Sequence, residues 1–309
     1  MTNTAEPIVF FGSGPVAAES LKLLAKHQQV VAVVTKPATE EQMTTVSGRA
    51  TVFTVSTKKE LDSLIHSGAL GNAALGVLID FGIIVSAEVI NSFRLGIINS
   101  HFSVLPELRG ADPISFAILR GQKTTGVSLM MIDEGMDTGK ILTTKSLSIS
   151  EDDTTPTLTE KLIVLSDTML REYIPKYLSG EVKPRNQSHP DRATYSRKLT
   201  KEDGTIDWSK SADIIEREIR AFIEWPKSRT TLGNKDVVIT KAHASPDDTI
   251  GEPGDIMIFG KEAIGITTGS GTLWIDELKP AGKKEMPAKA FLSVTERCLQ
   301  RRFRRLKSS

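Results

Sequence analysis

One cysteine in 309 residues, Cys298, excludes an intramolecular disulfide, a cysteine-rich zinc site and a CxxC redox pair. No apolar run approaches the roughly 20 residues that a membrane-spanning helix needs. The opening "MTNTAEPIVFFGSG" has neither a basic start nor a long apolar stretch, so it does not read as a secretory signal. A cytoplasmic protein is therefore expected. There is no GxSxG nucleophile elbow, no cluster of metal ligands and no internal repeat. An overall excess of either charge is also missing, because the net value is only +1. That balance hides an asymmetry. Residues 1–182 carry 15 Lys and Arg against 20 Asp and Glu, giving −5, whereas residues 183–309 carry 24 against 18, giving +6. A basic second half suits a polyanionic partner.

What is present is a soluble globular composition, 39% hydrophobic and 25% charged, on a chain too long for one ordinary core. Two domains are expected. In the first, "PIVFFGSG" (7–14), "QVVAVVTKP" (29–37), "ALGVLID" (74–80) and "LGIINS" (95–100) are short apolar runs. They alternate with helical segments such as "PVAAESLKLLAKH" (15–27) and "TKKELDSLIHSG" (57–68). Strands buried on both faces and separated by helices imply a mostly parallel, Rossmann-like α/β sheet. "GSGPVA" (12–17) reads as a tight turn rather than a phosphate loop, since it is not GxGxxG. "TGVSLMMIDEGMDTGKILTTKSLSI" (125–149) reads as an antiparallel pair around a Gly/Asp turn. Thr157 and Glu160 have capping-box spacing at the start of a helix whose apolar stripe runs through 158, 162, 165, 169 and 173.

The polar stretch 183–200 is expected as a linker between a catalytic domain (1–182) and a basic domain (201–309). Beyond it, "SADIIEREIRAFIEW" (211–225) has helical spacing. Short runs at 227–232, 236–243, 254–259, 263–268 and 272–278 suggest a small β-barrel of the oligonucleotide-binding type.

Asn99 and His101 stand where a buried strand should end, two residues apart and so on one face. A carboxamide can donate to a developing oxyanion, and an imidazole can exchange a proton near neutral pH. Asp133 and Asp137 lie in the following turn, and either could orient the imidazole. Each residue also fits a plainer role, since Asn and His satisfy loops and aspartates form turns.

"NSHFSVLPELRGADP" (99–113) resembles the core segment of the folate-dependent formyltransferases, whose pattern runs Asn-x-His, Ser-Leu-Leu-Pro, then Arg-Gly and Pro. "GVSLMMIDEGMDTGKIL" (126–142) resembles that family's second segment, with Asp137 in the place of its essential aspartate, and "DFGIIV" (80–85) resembles its aromatic-Gly segment. The resemblance implies a co-substrate, 10-formyltetrahydrofolate, whose formyl carbon is attacked directly by an amine without a covalent enzyme intermediate. It gives Asn99 the oxyanion, His101 the proton and Asp137 the orientation of His101. Ser103, Val104, Leu105 and Pro106 would form a folate loop, and Asp80, Phe81, Gly82 and Ile84 a pterin pocket. No metal is implied.

"KLTKEDGTIDWSKSADIIEREIRAFIEWPKS" (198–228) and "LKPAGKKEMPAKAFL" (278–292) resemble the members that act on initiator methionyl-tRNA. They imply that partner and a monomeric enzyme of translation initiation, with Arg109, Lys198, Lys201, Lys283 and Lys284 as candidate tRNA contacts. One departure is the stretch 35–53, shorter and more acidic than the basic loop of such enzymes. The tail "RRFRRLK" (301–307) is a candidate substitute. An amino-sugar nucleotide as acceptor, and a catalytically silent RNA-binding relative, are the competing readings.

Overall fold

The structure, a computed structural model, describes residues 6–233, 235–246, 251–259 and 262–299. The chain divides into two compact units. One holds the residues up to Ile114, Lys123–Ser148 and Leu158–Arg197, and the other holds Ser115–Gln122, Ile149–Thr157 and the residues from Lys198 onward.

The first unit is built on a seven-stranded sheet of β1 (Ile8–Phe11), β2 (Val30–Thr35), β3 (Thr51–Thr54), β4 (Leu75–Leu78), β5 (Ile97–His101), β7 (Thr124–Met131) and β8 (Ile141–Ser148). Their order is β3-β2-β1-β4-β5-β7-β8. The first five pair in parallel, and β7 and β8 add antiparallel. Every side chain of β1 and β4 is buried, as a parallel sheet covered on both faces requires. Helices α1 (Pro15–Leu24), α2 (Glu40–Val46), α3 (Lys58–His66) and α4 (Ala87–Ser92) follow the parallel strands. In α3 the N-terminus is a reciprocal box. Thr57 Oγ1 accepts from Glu60 N at 3.2 Å, and Glu60 Oε2 takes Ser56 N at 2.7 Å. One core cluster packs Phe11 against Phe81 and Phe93 with Val34, Leu61 and Ile97.

Three local expectations are corrected. The stretch 35–53, read as a shortened loop, contains α2 and most of the edge strand β3. The long helix α6 (Thr155–Leu178) starts earlier than its Thr157–Glu160 spacing suggested. Its box lies one turn back, with Thr154 N donating to Thr157 Oγ1 at 3.0 Å. Residues 183–197 are not a free linker. Arg185 bridges Ile141, and β9 (Tyr195–Ser196) pairs in parallel with β6 (Arg109–Gly110).

In the second unit the sheet is antiparallel: β10 (Ser228–Leu232), β11 (Lys235–Ser245), β14 (Thr272–Pro280), β13 (Ala263–Thr267) and β12 (Ile256–Phe259), with β15 (Met286–Pro287) on β14. Among the described residues the ladder does not close, and β10 and β12 are its ends. Its core joins Ile239, Ile264, Leu273 and Ile275 to Ile215 and Ile219 of α7 (Ala212–Ala221) and Phe291 of α8 (Ala288–Leu299). The remaining helix, α5, is Pro113–Leu119.

Candidate active site

β5 runs between parallel β4 and antiparallel β7, with Asn99 opposite Leu78 on one side and Met130 on the other. Asn99 is 8% exposed and His101 6%. Among the described residues the Asn99 carboxamide makes no hydrogen bond, although its main chain is fully engaged in the sheet. A carboxamide that the protein leaves without a partner is available to hydrogen-bond a ligand.

His101 is held by one nitrogen only. Nε2 lies 2.9 Å from the Leu108 carbonyl, which can only accept, so that nitrogen carries the proton in the neutral ring. Nδ1 is left as the basic atom. The β7–β8 connection leaves the sheet beside Ile97, where Ile132 N donates to the Ile97 carbonyl at 2.9 Å. It then returns to the level of His101, bringing Asp137 Oδ2 to 3.8 Å from Nδ1. That separation is longer than a direct hydrogen bond. The same Oδ2 accepts from Gly110 N at 2.8 Å. Asp133, the competing carboxylate, is engaged within the turn: its Oδ1 accepts from Gly135 N at 3.1 Å and Thr138 Oγ1 at 2.8 Å. The structure therefore brings Asn99, His101 and Asp137 to one stretch of β5 and leaves Asp133 as a turn former.

The segment Ser103–Pro106 is folded against the sheet by Ser128. Its Oγ donates to the Ser103 carbonyl at 2.8 Å and accepts Leu105 N at 3.0 Å. Ser103 is 1% exposed and its hydroxyl donates to the Glu107 carbonyl, so Val104 and Pro106 are the residues this loop leaves partly open. Asp80 and Gly82 are exposed and both have positive φ, at 49° and 66°. Ile84 is strongly exposed, whereas Phe81 is a core residue that meets Phe11 edge-on. Phe81 therefore supports the loop from below rather than lining a pocket.

Arg109, expected as a tRNA contact, is turned inward. It is 6% exposed, and its Nη2 donates to Gln187 Oε1 at 2.6 Å rather than facing solvent. Lys198, Lys201, Lys283 and Lys284 lie on the exposed surface of the second unit. The tail 301–307 lies outside the described residues. Sequence reasoning missed Ser128, Gln187, Thr194 and Ser196. Thr194 Oγ1 takes Leu108 N at 2.9 Å, and the Ser196 hydroxyl donates to the Arg109 carbonyl at 3.2 Å. Ser128 is a lone hydroxyl inside the apolar run 127–131, and the only signal for the other three was a polar stretch that no periodicity distinguishes from a linker. Among the described residues no group of His, Cys, Asp and Glu could hold a metal ion. None of the helices among them is long and apolar enough to cross a membrane.

A carboxamide, an imidazole held at one nitrogen and a nearby carboxylate thus stand together at the end of an interior strand of an α/β sheet. The chain belongs to the formyl transferase family. Residues 6–174 match the family's model, and residues 198–295 match the model of its C-terminal domain. It is 36% identical to a methionyl-tRNA formyltransferase of Myxococcus xanthus over 301 residues, covering 92% of this chain and 94% of that protein. It is 35% identical to one of Desulfotalea psychrophila over 296 residues, covering 92% and 91%. Among solved structures, the N-formyltransferase from Helicobacter canadensis, in complex with folinic acid and dTDP-3-aminofucose, superposes with a TM-score of 0.66. It has 20% identity and covers 92% of this chain and all of that one, a likeness of fold.

Proposed function

We propose that the protein transfers the formyl group of 10-formyltetrahydrofolate to the α-amino group of initiator methionyl-tRNA, giving the N-formylmethionyl-tRNA used in translation initiation. The acceptor is argued from relatives of that name, which match at 33–36% identity over more than nine-tenths of their length. The observation that carries the chemistry is the buried Asn99 carboxamide with no described partner, two residues from an imidazole with one free nitrogen. A formyl oxygen fits that amide, and a neighbour of the same fold is in complex with folinic acid.

Attack of the amine on the formyl carbon forms the new C–N bond and moves an electron pair onto the formyl oxygen. The Asn99 Nδ2 donates to that oxygen, strengthening as its charge grows. The ammonium formed on the attacking nitrogen loses its proton to His101 Nδ1, and the carboxylate of Asp137 steadies the imidazolium. Collapse returns the carbonyl and breaks the bond to the folate nitrogen, which takes a proton as it leaves. Val104, Pro106, Asp80, Gly82 and Ile84 are the residues of the two loops open enough to meet the folate. The second unit, with its surface lysines 198, 201, 283 and 284, is assigned to the tRNA. Charged tRNA and reduced folate meet in the cytoplasm, where the protein would act.

The test is to incubate the protein with 10-formyltetrahydrofolate and either methionyl-tRNA or an amino-sugar nucleotide. N-formylmethionine recovered after deacylation is the expected product. A formylated sugar with no formylmethionine would replace this reading with the sugar acceptor, and no product from either would leave an RNA-binding relative.

A further inference from the structure

We propose that Gln187 is a positioning residue for formyl transfer, clamping the Asp137 loop to Arg109 of β6, beside the Leu108 carbonyl that holds His101. The role in transfer rests on the reading just given, while the clamp itself rests on geometry alone.

The Gln187 side chain is placed between the backbone of 137–139 and the Arg109 guanidinium. Its Nε2 donates to the Asp137 carbonyl at 2.7 Å and to the Gly139 carbonyl at 3.0 Å. Its Oε1 accepts from Arg109 Nη2 at 2.6 Å. The amide can face only this way, because carbonyls only accept and a guanidinium only donates. Three hydrogen bonds thus use both ends of one side chain.

Each tethered group needs the tether. Asp137 has φ +53°, a left-handed conformation that costs a non-glycine residue free energy and persists only where its surroundings hold it. Arg109 is a 94% buried cation whose Nε has no partner and which, among the described residues, faces no carboxylate. Gln187 Oε1 is therefore the acceptor that a buried guanidinium most requires. Leu108, the residue before Arg109, supplies the carbonyl that fixes His101, and Gly110, the residue after it, donates to the Asp137 carboxylate. Segments 108–110 and 137–139 together set the 3.8 Å between Nδ1 and Oδ2. A shift of about 1 Å in such a constellation is enough to slow a reaction about 10²-fold.

Two variants separate this role from plain stability. Q187E keeps an acceptor for Arg109 but sets an oxygen against the carbonyls of Asp137 and Gly139. Q187M keeps the length of the side chain and removes all three bonds. Should Q187M fail to fold, Q187E alone decides, because it leaves no buried cation unpaired. In each, three quantities are measured: amide hydrogen exchange across residues 132–140, the thermal midpoint, and kcat and KM for methionyl-tRNA. The expected result for Q187E is faster exchange in 132–140, a thermal midpoint lowered by about 10 °C or less, kcat down about 10²-fold and KM within about threefold. Exchange equal to wild type in 132–140, or kcat within about threefold of wild type in a folded variant, overturns the proposal. A wild-type protein that makes no N-formylmethionyl-tRNA would defeat the functional reading instead, and the exchange data would still decide whether Gln187 holds the loop.

Discussion

Replacing Asn99 by alanine tests the proposed chemistry most directly, because rate and stability should part company. An oxyanion-hole donor contributes about 10²–10³ in kcat, equivalent to about 2.7–4 kcal/mol of transition-state stabilisation. That interaction grows only as the formyl oxygen becomes charged, so the loss should fall on kcat, with KM for both substrates within about threefold of wild type. The structural cost should be small. The carboxamide makes no hydrogen bond among the described residues, so its removal strands no partner. The pairing with Leu78 and Met130 is main-chain and survives truncation. A stability loss within about 1 kcal/mol corresponds to a thermal shift of no more than about 4 °C for a chain of this size. The assay is N-formylmethionine production from 10-formyltetrahydrofolate and methionyl-tRNA, measured beside thermal unfolding. Asn99→Asp is the companion, since an ionised carboxylate is nearly isosteric but cannot donate to an oxyanion. Retention of more than about a tenth of wild-type kcat in Asn99→Ala, or a loss carried by KM alone, would refute the oxyanion role.

Other outcomes follow from the same geometry. His101→Ala should cost about 10²–10⁴ in formylation rate. It should also cost about 1–3 kcal/mol in urea unfolding, since the Leu108 carbonyl loses its partner, and unchanged stability would contradict that bond. Gly110→Ala places a Cβ 2.3 Å from the Ser196 carbonyl oxygen at φ +108°. Backbone strain alone is about 1–3 kcal/mol, so a variant with wild-type urea midpoint would mean that β6 and β9 do not pair as described. Glu172 accepts hydrogen bonds from Lys145 and then Lys176, which hold its carboxyl below the ordinary glutamate range. Its depressed folded pKa means the contribution is present above the unfolded value and is lost as pH falls through the folded one. Lys145→Met should move the Glu172 titration upward by NMR, and an unmoved curve would contradict the pair. Binding of methionyl-tRNA through lysines of the second unit should weaken steeply between low and physiological salt, and a flat dependence would remove the phosphate contacts from the account.

Much of this protein is legible in one dimension because burial and chain direction have short sequence periods. Runs such as Ile8–Phe11 and Leu75–Leu78 are apolar at every position, which only a strand covered on both faces can use. The antiparallel pair at 124–148 and the strands between 228 and 280 follow from alternation and turn residues for the same reason. The two-residue spacing of Asn99 and His101 put both on one face before any fold was known. Spacing alone could not choose between Asp133 and Asp137, four apart in one turn, and it was the family resemblance that singled out Asp137. The path of the loop shows the physical difference between them, bending Asp133 onto its own backbone and carrying Asp137 back to His101. Nor could it show that Arg109 points inward, or that residues 185–196 belong to the catalytic unit. Those bonds join positions 44 to 87 residues apart through single side chains and two-residue bridges, and contacts of that range leave no periodic trace in a sequence.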